Sequence, residues 1–228
     1  MRLTAALGLG LAFFFAGSYE VSAHSLESLE YQLHRTEKYF QPLDKEAPDF
    51  TLLDADGRTL GSADLRGKVI VLNFVYTNCP DVCPLHAERI AEIQEMINQT
   101  PMRDLVRFVT ITTDPKNDTP EIMRAYGRER GLDSVNWIFL TSGPERIAAT
   151  RELVERFGHK FTKVEDGYQV HGVVTHVIDM AGRWRGNFHG LKFQPTNMVL
   201  FINALTNDVH EAPEHRQSSF WEMVRELF

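Results

Sequence analysis

Cys79 and Cys83 are the two cysteines of the chain, and four positions separate them in Thr77-Asn78-Cys79-Pro80-Asp81-Val82-Cys83-Pro84. Cysteines at that spacing lie about one helical turn apart, close enough to bridge or to share a metal ion. The segment follows an apolar run and precedes a helical pattern. Thiolates at a helix N-terminus meet the positive end of the dipole and unpaired N–H groups, which lowers their pKa. Two chemistries follow, reversible disulfide formation and soft-metal binding. Two thiolates favour Cu(I), and an added imidazole would also hold Cu(II). A closed zinc site asks for more donors than the pair supplies. A disulfide closing so short a loop adds little stability through chain entropy, so a merely structural bridge explains the pair poorly.

The elements that must position the pair are legible from pattern. Val69 to Tyr76 is an almost unbroken β-branched and aromatic run, expected as a central strand covered on both faces. Pro84 to Gln99 places Ile90, Ile93 and Ile97 at helical spacing, and Leu105 to Thr112 is the next strand. Thr119-Pro120 opens a helix with a capping hydroxyl and proline at its first position. Trp137 to Leu140 reads as a strand. Pro144 to Phe157 reads as a helix with Ile147, Thr150, Val154 and Phe157 on one stripe, ended by Gly158. Val173–Ile178 and Arg183–Phe188 form a hairpin about Gly182, and Pro195 opens a last helix to Thr206. Ahead of these, Asp54-Ala55-Asp56-Gly57 turns between two short strands, an N-terminal hairpin extension. The fold class is α/β, a central mixed β-sheet flanked by helices.

Residues 1–23 have the layout of a secretory signal peptide: Arg2, the uncharged apolar stretch Leu3 to Ala16, and small residues at Val21-Ser22-Ala23. The apolar stretch is short for a membrane span, although an uncleaved anchor is the alternative. The protein is therefore expected to be exported, into the periplasm or anchored facing it. Residues 24–45 form a polar lead-in, partly helical; 46–206 make one domain; and 207–228 are a polar tail with a short amphipathic end. The formal net charge of −7 argues against nucleic acid as a partner. A monomer is expected.

The run from Phe74 to Pro84 resembles the signature of the Sco/SenC family of cytochrome c oxidase assembly proteins. So does Asp114-Pro115-Lys116-Asn117-Asp118-Thr119, while Ala47-Pro48-Asp49-Phe50 is shared more widely among redoxins. The likeness covers about residues 44–206. It implies a thioredoxin-like fold holding copper, as Cu(I) or Cu(II), through both cysteines and a distant histidine in a loop before a strand. By that likeness the third ligand is His171, with His176 in the strand as the alternative. Gly172 stands where the family has Ser or Thr. The likeness further implies a metallochaperone more than a turnover enzyme. Its partner would be cytochrome c oxidase subunit II or another copper-receiving protein, with a thioredoxin-like reductant in support. A general thiol–disulfide oxidoreductase would show the shorter Cys-x-x-Cys spacing and a proline in the facing loop, and no proline occurs between Pro144 and Pro195. A thiol peroxidase would need an arginine at the cysteine.

The other histidines carry no such assignment. His86 is expected as an exposed helical residue, and His34, His159, His189, His210 and His215 define no site. His24 would become the mature N-terminus. Asp114 and Asp118 are expected to make turn and cap hydrogen bonds.

Overall fold

The computed structural model describes residues 26–164 and 167–207, giving the backbone alone over 161–164 and 167–171. The expected signal peptide, His24 and the end of the tail with His210 and His215 lie outside the described residues.

All seven residues of β4 (Val69–Val75) are buried, as a doubly covered strand requires. It pairs in parallel with β5 (Val106–Thr112), and β5 in parallel with β6 (Trp137–Thr141). These steps are bridged by helix α2 (Val82–Asn98) and helix α3 (Pro120–Glu129). On its other side β4 meets β9 (Val174–Ile178) antiparallel, and β9 turns back into β10 (Arg183–His189). The hairpin of β2 (Thr51–Asp54) and β3 (Thr59–Gly61) adds to the far edge through β6. Helices α1 (Leu26–Thr36), α2, α3 and α5 (Pro195–Asn207) cover one face of the sheet, and α4 (Ile147–Arg156) covers the other.

Three details depart from the sequence expectations. Phe40–Glu46, placed largely in the lead-in, is strand β1 and forms the sheet edge against β10. Its Pro42, its charged residues and a register shift between Pro42 and Lys45 are devices of an edge strand, and they obscure the alternation that would announce one. The α4 stripe contains Thr150, Leu153 and Val154 and runs on to Phe157, whereas Ile147 is exposed. Finally, residues 160–171 hold a separate two-stranded hairpin, β7 (Lys160–Val164) and β8 (Gly167–His171), outside the main sheet.

Candidate metal centre

β4 ends at Val75, and the chain crosses a tight turn in which the Cys79 N–H donates to the Tyr76 carbonyl (3.2 Å) before α2 begins. Asp81 occupies the N-cap of α2 but makes no side-chain cap bond. Instead the Asp81 and Cys83 backbone N–H groups donate to the Cys79 sulfur. A thiolate thus serves as the anion at the positive end of the helix. Burial pushes the Cys79 thiol up, but these N–H donors, with the Cys83 and Tyr76 side chains, outweigh it and bring its pKa below the usual thiol range. Cys83 moves the opposite way: burial, chiefly, and then the neighbouring Cys79 sulfur push it up. The two sulfurs are hydrogen-bonded to each other, and Cys79 is the one whose thiolate form is favoured. Both sulfurs are unbridged and buried, while Asn78, Pro80, Asp81, Val82 and Leu85 above them are exposed.

The loop is gripped from the side of α3. Asp118 is buried rather than capping; the cap is made by Thr119, whose hydroxyl accepts from Ile122 N–H. The Asp118 carboxylate accepts from the Thr77 N–H (3.3 Å) and from the hydroxyls of Thr77 and Thr112. It therefore ties the end of β5 to the residue two before Cys79. Burial pushes its carboxyl pKa up against those donors. Tyr126, on α3, donates its hydroxyl to the Cys83 carbonyl at 2.8 Å. Asp114 keeps the expected turn role, accepting from the Asn117 side chain.

The candidate third ligands differ in placement. His171 closes β8, with its backbone paired to Lys160, so it ends a strand where a loop was expected. Gly172 follows at φ +96°, a left-handed conformation in which a Ser or Thr would be strained. His176 is 1% exposed on β9, and both ring nitrogens are engaged. Its Nε2 lies 2.9 Å from His159 Nε2 and its Nδ1 lies 2.7 Å from Asn187 Oδ1. Its ring neighbours are Phe74, Phe157 and Trp184, which belong to the α4 side of the sheet. Cys79 and Cys83 belong to the core on the α2 side. Among the described residues no group of three or more His, Cys, Asp and Glu side chains could hold a metal ion, and the His171 side chain is outside them.

Two histidines escaped the sequence reading. His86 is buried, not exposed, with Nε2 2.9 Å from Thr175 Oγ1, and burial holds its pKa down at about 4. Its signal was present: positions 86, 90, 93 and 97 form one helical stripe with the three isoleucines. His159 is buried against His176, a pairing between separate elements that no local pattern announces.

A C-x-x-x-C pair between a buried strand and the helix that follows, on a mixed sheet flanked by helices, defines a dithiol protein of thioredoxin-like fold. The SCO1/SenC family model matches residues 40–207, and the chain belongs to that family. The SCO1 protein homolog of Bacillus subtilis (strain 168) is 30% identical over 160 residues, which are 70% of this chain and 81% of that protein. A SCO1/SenC family lipoprotein from Bacillus anthracis str. Ames has a similar structure: TM-score 0.63, 28% identity, covering 72% of this chain and 97% of that one. Bradyrhizobium japonicum ScoI, solved with copper bound, gives TM-score 0.58 and 26% identity over 70% of this chain and 99% of that one.

Proposed function

We propose that the protein is an exported copper-binding assembly factor that holds one copper ion through Cys79, Cys83 and His171. Its role would be to mature the dinuclear copper site of cytochrome c oxidase subunit II. The observation that carries this reading is the pair of unbridged, mutually hydrogen-bonded sulfurs at the N-terminus of α2. Soft sulfur donors of this kind select copper, and the related ScoI has been solved with copper bound. His171 is favoured over His176 because both His176 ring nitrogens are engaged on the other face of the sheet. Export to the periplasm, or anchoring that faces it, follows from residues 1–23 and accords with the lipoprotein relative. Among the described residues no helix is long and apolar enough to cross a membrane.

The same pair also suits thiol reduction of the recipient. The Cys79 thiolate would attack one sulfur of a recipient disulfide and release the other as a thiolate. Cys83, giving up its proton, would then attack the Cys79 sulfur of the mixed disulfide. The recipient leaves with two reduced sulfurs, and this chain leaves with a Cys79–Cys83 disulfide that an external dithiol must reduce. A peroxidase reading would need an arginine at Cys79, whereas the groups that most lower its pKa are the Asp81 and Cys83 N–H groups and the Cys83 and Tyr76 side chains.

Copper titration of reduced wild type beside Cys79→Ser, Cys83→Ser and His171→Ala tests the proposal. The wild type should take one equivalent and show a sulfur-to-Cu(II) charge-transfer band. Either serine variant should lose the band, and His171→Ala should weaken Cu(II) far more than Cu(I). Full stoichiometry and an unchanged band in either serine variant would refute the two-cysteine site. Equal copper uptake by oxidised protein would contradict the requirement for the dithiol.

A further inference from the structure

The buried histidines on the α4 side of the sheet form a hydrogen-bond chain whose proton positions are fixed from one end. The Trp184 indole can only donate, and its Nε1 lies 2.8 Å from Asn187 Oδ1. That contact identifies the Asn187 oxygen, while Asn187 Nδ2 donates to Gln41 Oε1 at 3.1 Å. His176 Nδ1, 2.7 Å from the same Asn187 oxygen, must then carry a hydrogen and donate it. A neutral His176 with its proton on Nδ1 has a bare Nε2. His159 Nε2, 2.9 Å away, must therefore supply the proton of that contact. Phe74 packs against both rings and Phe157 against that of His176, and both histidines are buried.

The position of His159 gives the chain its meaning. It immediately precedes Lys160, the first residue of β7, and Lys160 pairs across the hairpin with His171. β7 and β8 make a two-stranded sheet of their own, and among the described residues no strand pairing joins it to the main sheet. The C-terminal leg is tied where the Gly190 N–H donates to the Val173 carbonyl at 2.7 Å. The N-terminal leg is tied by the His159 ring, which reaches β9 in the core.

We propose that His159 and His176 form a single-proton clasp that fixes the base of the β7–β8 hairpin and so positions the backbone of His171. Both are positioning residues: neither touches the cysteines, and their consequence for copper rests on the reading of His171 as third ligand. The clasp asks for a donor at the His159 Nε2 position and an acceptor at His176 Nε2. Gln at 159 can supply that donor, because its amide nitrogen reaches about as far as Nε2, whereas Leu cannot.

The test is amide hydrogen exchange of the copper-free, reduced protein over residues 160–171, compared for wild type, His159→Leu and His159→Gln. An Ile97→Val variant serves as control for general destabilisation. Loss of the buried bond should speed exchange in the hairpin about tenfold in His159→Leu, with His159→Gln restored to within about threefold of wild type. Unchanged exchange in His159→Leu, or an equal rise in Ile97→Val, would overturn the clasp. Cu(II) affinity follows as a second readout: His159→Leu should weaken Cu(II) and spare Cu(I), and His159→Gln should recover it. His171→Ala is measured alongside. Retained Cu(II) binding there would overturn the ligand reading alone, since the clasp is decided by the exchange.

Discussion

The two faces of the central sheet handle ionisable groups in opposite ways. On the α2 side, N–H donors at the helix N-terminus favour the Cys79 thiolate and lower its pKa beneath an exposed lip. On the α4 side, burial and then the neighbouring His159 drive the His176 imidazole well below its ordinary pKa, while Asn187 and His159 engage its two nitrogens. Chemistry is kept available on one face and silenced on the other. What separates them is the balance of forces: N–H donors outweigh burial at Cys79, whereas burial outweighs the Asn187 hydrogen bond at His176.

The cysteine loop depends on its anchor at Asp118, just ahead of α3. Asp118→Ala removes the acceptor for the Thr77 N–H and two hydroxyls, leaving buried donors unpaired. A loss of roughly 3 kcal/mol is expected in urea unfolding, together with weakened copper binding. A loss below about 0.5 kcal/mol would mean that the loop holds without it.

Acid should expose the cost of keeping imidazoles neutral. His86 falls from an ordinary 6.5 to about 4 through burial, with His159 adding to the effect. Between those values the unfolded chain binds more protons than the folded one, so stability falls as pH drops through the window and is fully present above it. The contribution is on the order of 3 kcal/mol. His86→Gln, which leaves Thr175 a neutral partner, should flatten this part of the pH–stability curve. Parallel curves for the two proteins would show that His86 does not titrate in that range.

Tyr126 supports the cysteine turn from α3. Tyr126→Phe deletes only the hydrogen bond to the Cys83 carbonyl. About 1 kcal/mol of stability should go, read by thermal unfolding, with one equivalent of copper still bound. Loss of the metal site in this variant would place Tyr126 in copper binding itself, beyond the support of the helix turn.

What could be read from the sequence follows the range of the forces involved. β4 announced itself because both its faces are buried, so every residue from Val69 to Val75 is apolar or shielded. The cysteine segment was legible because its spacing carries its chemistry. β1 was hidden by edge-strand charge and by Pro42, features that protect an exposed edge and erase alternation. His86 lay on the same stripe as Ile90, Ile93 and Ile97, and its residue type masked its position. The His159–His176 contact could not be read at all, since 17 residues separate the partners and only the packing of α4 and β9 brings them together. The burial of Asp118 was likewise invisible beside the hydroxyl cap at Thr119.

We propose a copper ion held by both sulfurs and the His171 imidazole. Copper K-edge X-ray absorption on the reduced protein, loaded with one equivalent, reads the donors directly. Wild type should show two sulfur donors in both oxidation states, with a nitrogen contribution that falls in Cu(II)-loaded His171→Ala while the sulfurs remain. A site with fewer than two sulfurs, or a nitrogen shell unchanged in His171→Ala, would contradict this ligand set.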